Sequence, residues 1–376
     1  MYVMGKKAVG YIGTYTEAAY AGRGQGIYSF LLDADTGAVE RLRLCGKSVN
    51  PSYLALGPSG KYLYAVNELG GDPTEGMVSS FAISGEGEEL RLLSRKPSAG
   101  KDPCHIVVNG AETFAVVSNY SSGTVAALPI DADGVLSDPS QVIELSGKGR
   151  LPERQVAPHA HSFTFDKTMN RGFVCDLGAD RVMAYTIAGL PKPLVPCHTG
   201  GEPWISVSPG SGPRHGVFHP SGGYFYLSNE IDLSLNVYGY TNTSGTFELV
   251  QRLSSCPDKS PCDSAAAIKI TPNGQFLFVS NREHDSIALL RVREKGLEYV
   301  DCFPSGGHIP RDFAIDPGGN FLVAGHQRSD NLVVFRIDYA AACIKKIGEY
   351  EAPSSVCVIF ANKFATNNFA RSLLWD

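Results

Sequence analysis

Residues 52–68 read SYLALGPSGKYLYAVNE. A short apolar run meets a Pro-x-Gly turn, a second run rich in tyrosine follows, and an Asn-Glu pair closes it. Aromatic and β-branched residues favour the pleated surface of a strand, while Pro and Gly fix the backbone angles that reverse a chain, so this unit reads as a β-hairpin. It recurs as HGVFHPSGGYFYLSNE (215–230), AIKITPNGQFLFVSNR (267–282) and DFAIDPGGNFLVAGHQ (312–327), and more loosely as HIVVNGAETFAVVSNY (105–120) and HSFTFDKTMNRGFVCDL (161–177). The polar residue closing the second strand falls at Asn67, Asn119, Asp176, Asn229, Asn281 and His326, with spacings of 52, 57, 53, 52 and 45 residues.

A repeat of that length in strand-forming sequence implies a radial all-β array. A seventh copy is divided between the ends of the chain. AVGYIGTY (8–15) and GIYSFLL (26–32) read as second and third strands with no first strand before them, and VCVIF (356–360) reads as a first strand with no second. Placing them in one sheet closes a ring and leaves no open edge. The expected fold is therefore all-β: a seven-bladed β-propeller of four-stranded antiparallel blades, one domain over residues 1–376, closed by pairing of N- and C-terminal strands. Residues 361–376 fit no blade and are left as an unassigned C-terminal extension.

Composition agrees with many turns and a large core. Of 376 residues 43% are hydrophobic and 19% charged, with 41 glycines and 23 prolines scattered between the apolar runs. A net charge of -5 without a sustained basic stretch excludes an electrostatic footprint for nucleic acid, and no apolar run has membrane length. A cytoplasmic protein acting on a small molecule is expected. The nine cysteines form no CxxC pair and no zinc-ligand spacing, so they are read as buried reduced thiols, and neither a metal nor another cofactor is expected.

Hairpin geometry gathers the chemistry. In an antiparallel pair the start of the first strand lies beside the end of the second, away from the turn. The first-strand starts supply His105, His159 and His161 of PHAHS, Arg214 and His215 of GPRH, and Arg311. The second-strand ends supply Glu68, Glu230, Asn281, Arg282 and His326. Seven such tips ring one axial opening, and several arginines there suit a carboxylate or phosphate, which guanidinium binds through two parallel hydrogen bonds.

At these residues the chain resembles the lactonase family of seven-bladed propellers, which includes a bacterial 6-phosphogluconolactonase and the fungal carboxy-cis,cis-muconate lactonising enzyme. The resemblance runs through YIGTYT (11–16), residues 50–68, PHAHS (158–162), GSGPRH (210–215), Asn229-Glu230, SNREHDSIA (280–288) and PRDFAIDP (310–317). It implies that a histidine of PHAHS, Arg214, Glu230 and Arg282 line the active site. GHQ at 325–327 departs from the pattern, where an asparagine is more usual.

Lactone hydrolysis needs a base for water, donors for the tetrahedral oxyanion and groups that hold the substrate. His161 or His159 is the candidate base, with Glu230 orienting it or acting as the alternative base. Arg214 and Arg282 are expected to hold the anionic group and the developing charge. Arg311, His105, Glu68, His215, Asn281 and His326 are the expected substrate contacts. The same residues would serve a muconate-type cyclase, and a non-enzymatic binding scaffold is the third reading. The bland alternatives are that the histidines only brace neighbouring turns, that the glutamates only cap them, and that the strand-end Asn and Asp residues are turn formers. Two histidines two residues apart share a strand face and would point together.

Overall fold

The computed structural model describes residues 7–70, 75–87, 89–257 and 264–365. Seven antiparallel sheets surround an axis. The inner strands are Ser355–Ala365, Leu54–Leu56, Pro103–Val108, Ala160–Phe165, Pro213–Phe218, Ala265–Ile270 and Pro310–Ile315. Each touches the next, and Ser355–Ala365 returns to Leu54–Leu56, which closes the ring. Apart from the first, each blade is strung outward in chain order. The sixth, for example, runs Ala265–Ile270, Phe276–Asn281, Ser286–Arg293 and Gly296–Pro304.

The first blade combines the two ends of the chain as the sequence implies. Ser355–Ala365 pairs with Lys7–Thr14, which continues to Gly26–Asp33 and Val39–Lys47. Residues 361–365, assigned to no blade from sequence, in fact extend that inner strand, with Ala365 opposite Lys7 and Phe364 opposite Ala8. The alternation of VCVIF breaks at a register shift between Ala8 and Gly10, and this hides the continuation. Residues 366–376 lie outside the described residues. The fourth blade also departs from four continuous strands, since its outer edge is two short pieces, Leu194–Pro196 and Trp204–Ser206, both paired with Arg181–Ile187.

The turns opposite the closing Asn-Glu pairs explain the Pro-x-Gly signature. Gly60 and Gly274 adopt φ of +70° and +72°, the left-handed region that glycine enters without steric cost. A polar residue before the turn can tie it down, as when Asp316 Oδ1 accepts from the amides of Asn320 and Phe321. Between blades the core is aromatic and aliphatic: Phe276, Phe278, Leu289, Phe313, Leu322, Val333 and Phe335 form one fully packed interface. Removing each such side chain from water contributes about 1.5–3 kcal/mol.

Candidate active site at the axial mouth

The strand ends meet at one mouth, and two rows of residues line it. The first row follows the second strand of each blade: Tyr15, Glu68, Tyr120, Leu177, Glu230, Arg282 and Gln327. The second row comes from β-bulges. In six blades the inner strand carries one extra residue near its start; these include Cys104, His161, Arg214 and Arg311. A bulge leaves its residue out of the ladder and bends the strand, so its side chain is re-aimed. The bulged Cys104 and His161 reach the next blade, Arg214 reaches Glu230 of its own blade, and Arg311 of the seventh blade reaches Glu68 of the second.

Glu230 is the centre of one half. It is 4% exposed and accepts from Arg214 Nε at 2.9 Å, while Arg282 lies at 3.0 Å and Arg154 donates to its other oxygen. His161 Nε2 stands 3.7 Å from the same carboxylate. Burial alone would push the Glu230 carboxyl up, but Arg282 and Arg214, together with Arg154, hold it well below the usual carboxylate range. The His161 pKa falls as well, but for the opposite dominant reason. Burial, reinforced by Arg214, drives its pKa well below the ordinary value, so the imidazole is neutral. Cys104 donates its thiol to the His161 carbonyl at 3.3 Å.

Glu68 is the centre of the other half. Tyr15 donates its hydroxyl to it at 2.9 Å, and Arg311 approaches to 4.0 Å while lying over the Tyr15 ring. Burial raises the Glu68 pKa, and Arg311 only partly opposes this. Asp102, bonded to Tyr20 and Ser121, stands behind at the rim. Four guanidinium groups, of Arg154, Arg214, Arg282 and Arg311, therefore surround two lining carboxylates. Arg282 Nε is buried without a protein partner. A cup with this balance has donors to offer an anion.

The structure brings His161, Arg214, Glu230 and Arg282 into direct contact, with Arg311 and Glu68 on the facing wall. It does not point His159 and His161 together, because the bulge between Ala160 and Ser162 breaks the two-residue alternation. His159 instead stacks on Tyr120 at 4.4 Å and donates from Nδ1 to the Tyr120 carbonyl. His105 and His215 lie one step further along the inner strands, packed against Tyr53 with ring centroids 4.2 and 5.9 Å away. Burial pushes the His105 pKa down to about 3 and that of His215 well below its usual value. Two expected contacts face elsewhere. Asn281 donates to Ser255 and Ser286, and His326 bonds the Asn331 carbonyl, the turn-bracing role that asparagines take in other blades.

Sequence reasoning missed Arg154, Tyr15, Tyr120 and Cys104. Arg154 rides on a loop anchored by the buried Gln155, whose side chain bonds the Leu177 carbonyl and Asp180. Nothing in hairpin periodicity marks that loop. Tyr15 and Tyr120 had a signal, since each directly follows a second strand as Glu68 and Glu230 do.

Comparison with known proteins agrees with the fold. The family model described as "Lactonase, 7-bladed beta-propeller" matches residues 9–360. The chain belongs to the seven-bladed β-propeller lactonase family. A 6-phosphogluconolactonase of Bacillus subtilis is 35% identical over 361 residues, covering 95% of this chain and 99% of that protein. One of Formosa agariphila is 30% identical over 341 residues, covering 90% and 94%. Among solved structures, the periplasmic gluconolactonase of Pseudomonas aeruginosa superimposes with a TM-score of 0.86 at 30% identity, covering 94% of this lactonase and 99% of that chain. Among its described residues no helix is long and apolar enough to cross a membrane.

Proposed function

We propose that this lactonase hydrolyses a phosphorylated sugar δ-lactone, 6-phosphoglucono-δ-lactone, and that its axial cup is the catalytic centre. The observation that carries the reading is the surplus of guanidinium over carboxylate at the mouth. A phosphate oxyanion suits such a surplus, because charge-assisted pairs with arginine are strong and directional. The names of the relatives favour hydrolysis over cyclisation. A cytoplasmic location goes with this substrate, and cell fractionation tests it against the periplasmic precedent.

In this mechanism neutral His161 takes a proton from the attacking water, and ionised Glu230 beside it stabilises the imidazolium that forms. Arg214, fixed by Glu230, faces the oxyanion, while Arg154 and Arg282 hold the phosphate. Glu68, raised by burial and hydrogen-bonded to Tyr15, returns a proton to the departing ring oxygen. Two carboxylates whose surroundings push their pKa values apart divide the roles between them.

The test is a 6-phosphogluconolactone assay corrected for spontaneous hydrolysis, run beside His161→Ala, Arg282→Ala and the unphosphorylated lactone. Turnover above background, lost in His161→Ala and weakened in KM by Arg282→Ala, is expected. Equal use of both lactones would remove the anion clamp from the mechanism.

A further inference from the structure

One cluster outside the cup is unused by this mechanism. Cys256, His284 and Cys302 come from three separate segments, yet their ligand atoms all lie within 4.8 Å of one another. Cys256 follows the outer strand Thr246–Ser254 of the fifth blade, His284 sits in the turn between Phe276–Asn281 and Ser286–Arg293, and Cys302 is on Gly296–Pro304. We propose that these three side chains hold a zinc ion.

Two thiolates and an imidazole are the donor set that zinc prefers over harder cations, with bond lengths of about 2.3 Å to sulfur and about 2.0–2.1 Å to nitrogen. The cluster is compact enough to close on such a centre with small side-chain rotations, and it supplies three ligands from among the described residues. Its surroundings are built to orient the donors. Ser286 Oγ lies 2.8 Å from His284 Nδ1, and the Asn281 amide donates to Cys302 Sγ at 3.8 Å, a contact that stabilises a thiolate. Cys256 is 1% exposed, while His284 and Cys302 are partly open, which gives an ion a path in. The Cys302 thiol now donates to the Ser255 carbonyl at 3.2 Å. Binding replaces the two S–H bonds with two S–Zn bonds and releases two protons to solvent, so affinity falls as the pH is lowered.

The site adjoins the cup without belonging to it. His284 shares a tight turn with Arg282, closed by the Asp285 amide donating to the Arg282 carbonyl at 3.2 Å. A bound ion pins the outer side of that turn while Arg282 reaches inward to Glu230.

The experiment uses the full chain, stripped of metal and kept reduced, titrated with ZnCl2 by calorimetry and with Co2+ by visible absorption. One ion per chain is expected, with release of two protons and a thiolate-to-cobalt charge-transfer band. Cys302→Ser and His284→Gln should each weaken zinc binding by about tenfold or more. Cys343→Ser, on the outer strand of the seventh blade, should leave it unchanged. No zinc uptake, uptake indifferent to Cys302→Ser and His284→Gln, or a Cys256–Cys302 disulfide that removes two thiols in protein purified without reductant would each overturn the proposal. Lactone turnover is not among these readouts, so failure here leaves the reading of the cup standing.

Discussion

Glu230 and Glu68 occupy the same position of the repeat. Each follows an asparagine, Asn229 or Asn67, that closes the second strand of its blade, and each is nearly inaccessible. Their surroundings nonetheless drive them apart: Glu230 is held ionised by three arginines, whereas Glu68 is raised by burial with one arginine 4.0 Å away. The repeat supplies a place, and residues from bulges, loops and other blades supply the chemistry. Arg154, Arg214 and Arg282 reach Glu230 from a loop and from bulged or strand-end positions. Tyr15 and Arg311 reach Glu68 from the first and seventh blades.

The largest effect should come from Glu230→Gln, which strips three guanidinium groups of their shared counter-charge. We expect kcat/KM to fall about 10³-fold, as when a preorganised oxyanion donor is lost, and stability to fall by about 3–5 kcal/mol because buried charges are left unpaired. Steady-state kinetics and denaturant melts check both. Glu68→Gln should lower kcat by about 10²-fold, with little loss of stability, and should abolish the alkaline limb of the rate profile. That limb arises because a general acid with a raised pKa works only while protonated. If Glu68→Gln destabilised the protein as much as Glu230→Gln, the contrast between the two halves would be wrong.

The histidines of the axis give a third measure. His105, His161 and His215 have folded pKa values below the usual 6.5, so the unfolded chain binds more protons than the native one as the pH falls through that value. Their contribution is full above about pH 6.5 and is lost on acidification, at up to about 1.4 kcal/mol per pH unit for each histidine. Urea melts between about pH 7 and pH 5 should show this slope, and His105→Phe should make it shallower. The smallest effect is expected for His159→Phe. That ring stacks on Tyr120 outside the Glu230 cluster, so kcat should change by less than about tenfold.

Much of this was legible in the sequence. The Pro-x-Gly hairpins and the divided seventh copy specify the ring, and the hairpin argument carries Arg214, Glu230 and Arg282 to one mouth. The bulges were not legible, because a single extra residue in a ladder leaves no compositional trace. For that reason the alternation rule mispaired His159 with His161. Arg154 was hidden in a loop whose position depends on Gln155 reaching the fourth blade. His326 looked like a site residue by type, yet it braces a turn as Asn67 and Asn229 do. The Cys256, His284 and Cys302 cluster escaped a search by spacing because hairpin turns and the packing of adjacent blades join residues that lie far apart in the chain.

The pairing of Ser355–Ala365 with Lys7–Thr14 has a bearing on biosynthesis. During translation the first three strands of the opening blade emerge early and must wait, with one flank bare, until the last inner strand leaves the ribosome. At about 5–20 residues per second that interval is roughly tens of seconds. Tyr15 lies beside this late joint, with its amide bonded to the Ser354 carbonyl, so the proposed cup cannot be completed before Ser355–Ala365 is made. Products that stop short of Ser355–Ala365 would present an open sheet edge to chaperones and proteases, which makes ring closure a checkpoint on synthesis of that strand.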